Sequence, residues 1–213
     1  AVAISIGLTP IAMHGQHIPS DVLALAALVV EGLLVGLAFS FSVSVLMAAV
    51  ESAGTLIDIA SGFSYGALIN PANNQQSGVI SQFYALIGTA IFLIIGGDAW
   101  LLQGLGHTFA LVPLSSAPQI HSLVSGAEQT FSTIFTAALE IAAPVLLALF
   151  MTEAAFGVVS RVVPQLNVFA VGFPAKVAVA LLVVGASLPF FANWLSDQLS
   201  VSVGAALSAL HAS

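Results

Sequence analysis

TFSTIFTAALEIAAPVLLALFMTEAAFGVVS, residues 130–160, contains 31 residues with two acids, no base and one proline. A helix crossing the hydrocarbon of a bilayer needs about 20 mainly apolar residues, each rising 1.5 Å. This run exceeds that length, with about 31 mainly apolar residues. Pro144 lacks an N–H, so the carbonyl of Glu140 loses its helical partner, and a bend is expected beside a carboxyl group. The rest of the chain has the same character. Of its 213 residues, 59% are hydrophobic and 5% charged, with a mean hydropathy of +1.12, against about 25% charged in a soluble domain. Nine acids and two bases, Arg161 and Lys176, leave a net charge of −7 with no run of like charge. Such a chain cannot cover a soluble surface, which argues against a soluble enzyme, a disordered protein and a nucleic-acid binder.

Working outward, the pattern predicts an all-α, membrane-type bundle of long, kinked helices in a single domain over 1–213. About five hydrophobic helices are expected, plus the end of a sixth at the N-terminus. Residues 1–13 are that end, closed by Pro10 and His14-Gly15-Gln16-His17. The chain does not open with Met and shows no signal-peptide pattern, so the natural protein is expected to begin upstream. A second segment runs from Asp21, an N-cap after Pro19-Ser20, to about Val50. A third, 52–69, ends in the polar loop NPANNQQSG (70–78), and a fourth, 79–95, stops at Gly96-Gly97-Asp98 with Trp100 as an interface anchor. Residues 99–112 read as a re-entrant or surface helix and 115–129 as a connector. The fifth segment is 130–160. The sixth, 174–192, is bounded by Pro174 and by Pro189 with Trp194, and a mildly amphipathic tail follows.

Glu31, Glu51, Asp58, Glu140 and Glu153 lie inside or at the ends of these apolar segments. An ionised group there costs several kcal/mol unless paired or wetted, and two bases cannot pair five acids. The acids are therefore expected to be protonated, to reach water, or to meet donors on another chain. Glu51, Thr55 and Asp58 share a helix face, which reads as a polar strip or as headgroup-level helix ends. Gly32, Gly36, Ser40, Ser44, Ala48 and Ser52 place a small residue at each i+4 step, and Gly62 and Gly66 repeat the spacing. That ridge suits close helix packing.

Catalytic constellations are poor. The chain has no Cys, no Gly-x-Ser-x-Gly elbow and no Gly-rich loop with a Lys. His14 and His17 have the spacing of metal ligands on a helix, but Pro19 separates them from Asp21 and paired loop histidines are more often polar surface. No cofactor and no metal are expected. The two bases flank one short loop, which the positive-inside rule places in the cytoplasm.

Residues 164–176, PQLNVFAVGFPAK, form a constrained turn with Pro at both ends and Gly172 within. This run resembles the signature of the flagellar biosynthetic protein FliR family, membrane subunits of the type III secretion export gate. EGLLVGLAFS (31–40), AGTLIDIASGFSYGALINP (53–71), FLIIGGDAWLLQGLGHTFALVP (92–113) and ALEIAAPVLLALF (138–150) are similar to its other blocks, so the likeness covers nearly the whole chain. Two departures stand out: the family's additional N-terminal helix is expected to be missing from these residues, and Asn70 stands where the family commonly has Asp before Pro71. Gly96-Gly97 is similar to the injectisome relatives, whereas Gly172-Phe173-Pro174 favours the flagellar branch.

The resemblance implies a non-enzymatic subunit in the bacterial inner membrane and flagellar basal body. It implies a helical gate built with FliP-like and FliQ-like subunits and associated with FlhB-like and FlhA-like proteins, which unfolded export substrates cross. By position, the pore plug falls on Gly62, Phe63, Gly66, Asn70, Pro71 and Gly78. A cytoplasmic-side turn falls on Pro164, Gln165, Asn167, Phe169, Gly172, Phe173, Pro174 and Lys176. Membrane lipid and sister subunits would cover the apolar faces, with no nucleic acid involved. The alternatives are the equivalent subunit of a virulence injectisome and, from another class, a proton-coupled small-solute transporter using the intramembrane acids; the latter wants an internal repeat, and none is visible.

Overall fold

The computed structural model describes Thr9 and residues 21–64, 78–111, 120–165 and 167–211. Among these residues every regular element is an α-helix: α1 (Val22–Ser61), α2 (Val79–Ile94), α3 (Gly97–Leu111), α4 (Ile120–Val162) and α5 (Val168–His211). The expected all-α membrane bundle is therefore what the chain forms. Val43–Ser61, Phe131–Val162 and Ala170–Ser202 are each long and apolar enough to cross a membrane, and the bent pair Val79–Ile94 with Gly97–Gly106 raises the number of spans to as many as four. The N-terminal segment end, with His14 and His17, lies outside the described residues.

Several expected boundaries move, each for a local reason. Segments two and three are one helix, α1, which passes through Glu51 and stops at Ser61. Glu51 is exposed and so does not interrupt the ladder. The stop is Gly62, whose φ of 90° is a left-handed conformation that a side chain disfavours. Its N–H donates to the carbonyl of Asp58 at 3.1 Å, and the Ser64 N–H reaches the same oxygen at 3.3 Å. Between α2 and α3 the break at Ile95-Gly96 uses the other left-handed glycine, Gly96, with φ 72°.

The expected connector 115–129 is helical from Ile120 onward, as the start of α4. Likewise α5 does not begin at Pro174 or end near Pro189; it runs through both to His211. Asn167 is the real start signal. Its Oδ1 accepts the Ala170 N–H at 3.2 Å, a side-chain N-cap three residues ahead of the bonded amide. The expected turn over 164–176 is thus confined to the residues before Val168, and Gly172, Phe173, Pro174 and Lys176 stand in the first turns of α5.

The chain divides into two compact units. One comprises the described residues up to Leu46, Phe92–Ser132 and those from Asp197 on; the other comprises Met47–Ile91 and Thr133–Ser196. The second holds most of the buried apolar residues, and its core is built at helical spacing: Ala49, Val50, Ala53 and Ile57 from α1, Ile80 and Tyr84 from α2, Ala138, Ile141, Ala142, Val145 and Leu149 from α4, and Ala180, Val184, Phe191 and Leu195 from α5. Tyr84 and Phe191 stack with tilted rings 5.5 Å apart. In the first unit Gly97 lies against the ring of Phe92, where a Cβ would overlap. Here Val22, Leu23, Val29 and Val30 are all exposed on α1, and a Cβ built at Gly32 or Gly36 meets nothing within 4 Å.

Close helix approach is most demanding where α1 meets α2. A Cβ on Gly54 would lie 2.5 Å from Ser81 Cα and 3.0 Å from its nitrogen. Those neighbours are backbone and cannot rotate away. Gly54→Ala is expected to cost about 1–3 kcal/mol through overpacking, read as a lowered unfolding midpoint in detergent. Gly157→Ala, where nothing stands within 4 Å of the new methyl, is expected to leave that midpoint unchanged or slightly raised.

Candidate functional site

α2 begins at Val79 behind Gly78, a residue with no side chain to cap a helix. Its first-turn amides would be orphaned in an apolar setting, where each costs several kcal/mol. Asp58, three residues from the end of α1, supplies the acceptors. Its Oδ1 takes the Ile80 N–H at 3.0 Å and its Oδ2 the Ser81 N–H at 2.8 Å. Gly78 is required here because a Cβ would overlap the Asp58 carboxyl group. Asp58 is 1% exposed. Its main-chain carbonyl closes the end of α1 through Gly62 and Ser64, while its side chain opens α2. One residue therefore holds both ends of the intervening 62–78 segment.

A second polar contact lies one and two turns back along α1. Ser81 Oγ stands 3.2 Å from the Glu51 carbonyl oxygen, and Thr55 Oγ1 is 3.0 Å from that oxygen and 3.2 Å from Ser81 Oγ. The face shared by Glu51, Thr55 and Asp58 does meet a partner, but Glu51 contributes its carbonyl, and its side chain is exposed. Ser81 was not foreseen. A helix that starts behind a glycine, with no acceptor side chain of its own, is the signal that asks for one elsewhere.

The remaining acids are spread out. Glu153 on α4 accepts from Lys176 on α5 at 2.8 Å, an ion pair whose lysine side chain is 23% exposed and whose glutamate is 68% exposed. Glu140 accepts the indole N–H of Trp194 at 3.0 Å through Oε2. Trp194, expected as a boundary marker, is 9% exposed within α5. Glu31 lies in α1, and its side chain is outside the described residues. Glu153 thus takes one of the two bases and reaches water, whereas Asp58 and Glu140 find donors in their own chain that are neither Lys nor Arg, a fourth outcome beyond the three expected. The inventory of lysine and arginine overlooked backbone amides and an indole.

Of the other expected residues, Gly62 and half-buried Phe63 follow α1, and Gly78 precedes α2. Gly66, Asn70 and Pro71 lie outside the described residues. Pro164 and Gln165 are exposed in the turn after α4, Asn167 caps α5, Gly172 is buried, and Phe173 and Pro174 are exposed. Phe169 is in α5 with its side chain outside the description. Of the first group, the described Gly62 and Gly78 both lie against Asp58, and the described residues of 164–176 are gathered by sequence neighbourhood and the Asn167 cap. Among the described residues no group of three or more His, Asp or Glu converges as a metal site would require.

Asp58→Ala would leave the Ile80 and Ser81 amides without acceptors and is expected to destabilise the chain by about 1–3 kcal/mol. Asp58→Asn keeps one acceptor oxygen and turns a donor toward the other N–H, so its loss should be intermediate or equal. Unfolding midpoints, with hydrogen exchange at the Ile80 and Ser81 amides, measure this order directly.

Comparison with known proteins meets the same residues. The pattern of the family described as "Bacterial export proteins, family 1" matches residues 1–201. The chain is 34% identical over 154 residues to the flagellar biosynthetic protein FliR of Bacillus subtilis, covering 71% of this chain and 60% of that one. It is 28% identical over 173 residues to FliR of Escherichia coli, covering 81% and 66%. The Yop proteins translocation protein T of Yersinia pestis is 29% identical over 184 residues, covering 85% and 70%. The chain thus spans 60–66% of the length of these two flagellar relatives. With the match running through α1 to α5, the chain belongs to the bacterial export protein family 1.

Proposed function

We propose that this chain is a non-enzymatic structural subunit of the flagellar type III protein export gate, forming part of the pore through which unfolded flagellar proteins leave. The observation that carries this reading is the family match over residues 1–201 together with flagellar relatives at 28–34% identity. The apolar character of the surface is consistent with it. Phe135, Phe150, Met151 and Leu182 are each more than 70% exposed on helices apolar enough for a membrane, and lipid or sister subunits must cover them. FliP-like and FliQ-like subunits are the partners for those faces, with FlhB-like and FlhA-like proteins associated, in the inner membrane at the flagellar basal body.

In this reading the segment between Gly62 and Gly78, with Phe63, Gly66, Asn70 and Pro71, contributes to the plug that closes the pore. The support is positional: Asp58 holds both ends of the segment at one point of the bundle. The turn at 164–167 and the first turns of α5, through Lys176, face the cytoplasmic entry. Exposed Glu51 and Glu153, and Glu31, are candidates for subunit contact.

A second reading, the equivalent subunit of a virulence injectisome, is favoured by the Yersinia protein and by the Shigella flexneri surface presentation of antigens protein SpaR, 28% identical over 157 residues. It differs in the cargo. A proton-coupled solute transporter is the weaker class, because Asp58, Glu140 and Glu153 each have a partner within the chain.

Removing the gene should abolish flagellin export and motility, and a strain that exports flagellin normally without it would refute the assignment. Shortening 70–78, or replacing Gly62 with Val, should leave partner subunits bound while raising ion conductance or blocking export. Unchanged conductance and export in both variants would reduce the segment to a connector.

A further inference from the structure

Glu140 is the tenth residue of the apolar stretch Phe131–Val162, and it is exposed. The indole N–H of buried Trp194 fixes its Oε2 at 3.0 Å, while among the described residues Oε1 meets no donor. On the same face of α4, Leu147 and Met151, two and three turns on, are 64% and 71% exposed, and Thr136, one turn back, is exposed with its hydroxyl donating to the Thr133 carbonyl. A half-satisfied carboxyl group on such a face cannot rest against hydrocarbon, which offers no donor. Neither base of this chain can reach it. Lys176 is engaged by Glu153 at 2.8 Å, and Arg161 lies 21 residues farther along α4, about 31 Å at 1.5 Å per residue.

We infer that the α4 face centred on Glu140 docks a helix of a partner chain whose Lys or Arg side chain meets the free Glu140 oxygen. Trp194 is the positioning residue that presents the carboxyl group outward. Charge complementarity supports the choice of a basic partner: nine acids against two bases leave this chain at −7, and a partner with the opposite excess closes the account. Leu147 and Met151, on the same face, then pack on that partner helix and exclude water from the pair. The inference rests on the reading of the chain as one subunit of a hetero-oligomeric gate.

The test tags this chain in its own bacterium, extracts membranes in mild detergent, and quantifies co-purifying export subunits by mass spectrometry. Glu140→Gln keeps the shape and an oxygen for the Trp194 indole, so the chain should accumulate normally while partner recovery falls at least about fivefold. Glu140→Lys should lose partners further and abolish export. Suppressors selected for restored export in that strain should replace a Lys or Arg in an apolar helix of a co-purifying subunit. Partner recovery equal to the parent in both variants would overturn the contact. So would suppressors confined to this chain, or modification of Glu140 by a water-soluble carbodiimide in the assembled complex. If the unaltered chain itself brings down no export subunits, the gate reading fails and this inference falls with it. If it does and both variants do as well, the contact alone is wrong.

Discussion

Two amide hydrogens at the start of α2 set the terms for how the first half of this bundle closes. In an apolar medium every backbone donor needs an acceptor, and Gly78 has none to give. The side chain of Asp58, on the preceding helix, accepts both Ile80 and Ser81. The requirement then propagates. The carboxyl group can reach only if Gly78 has no Cβ and if the two backbones come together at Gly54. That approach brings Ser81 within hydrogen-bond distance of Thr55 and of the Glu51 carbonyl. Polar satisfaction and close packing are here the same event, and neither is available to a helix pair lacking the two glycines.

Two other helix ends solve the same problem by local means. Gly62 turns the end of α1 back on the Asp58 carbonyl, and Asn167 caps α5. Hydroxyls inside the helices donate to carbonyls three or four residues earlier, as Ser61 does to Ile57 at 2.7 Å and Thr152 to Ala148 at 2.7 Å. These bonds let a chain rich in serine and threonine remain apolar to its surroundings. A hydroxyl spent on its own helix asks nothing of a neighbour.

Composition and segment length made the class of fold legible, and the 164–176 run pointed to the family. Helix boundaries were harder to read, because the usual punctuation is weak in a membrane-type chain. Pro174 and Pro189 read as ends but lie inside α5, where each removes one ladder bond without forcing a stop. Glu51 read as a divider between segments but points outward from a continuous α1. Which face of each helix is buried was not legible either, since an all-apolar helix gives no amphipathic contrast. Ile141 is buried and Leu139 is 56% exposed, two residues apart in the same apolar run. The polar partners were hidden for another reason. Trp194 lies 54 residues from Glu140, and the donors that Asp58 uses are main-chain atoms that no residue count reveals.

Asp58, Glu140 and Glu153 sort by what answers them. Asp58 is closed on backbone and buried, so its task is complete within the bundle. Glu153 faces a lysine in a partly solvated pair, an arrangement worth about 0–1 kcal/mol when exposed; its charge is balanced wherever it stands. Glu140 is different, because an indole donates one hydrogen but carries no charge. Trp194 can hold the group in place without neutralising it. Among these three acids, Glu140 alone has one carboxyl oxygen held by its own fold and the other without a donor among the described residues.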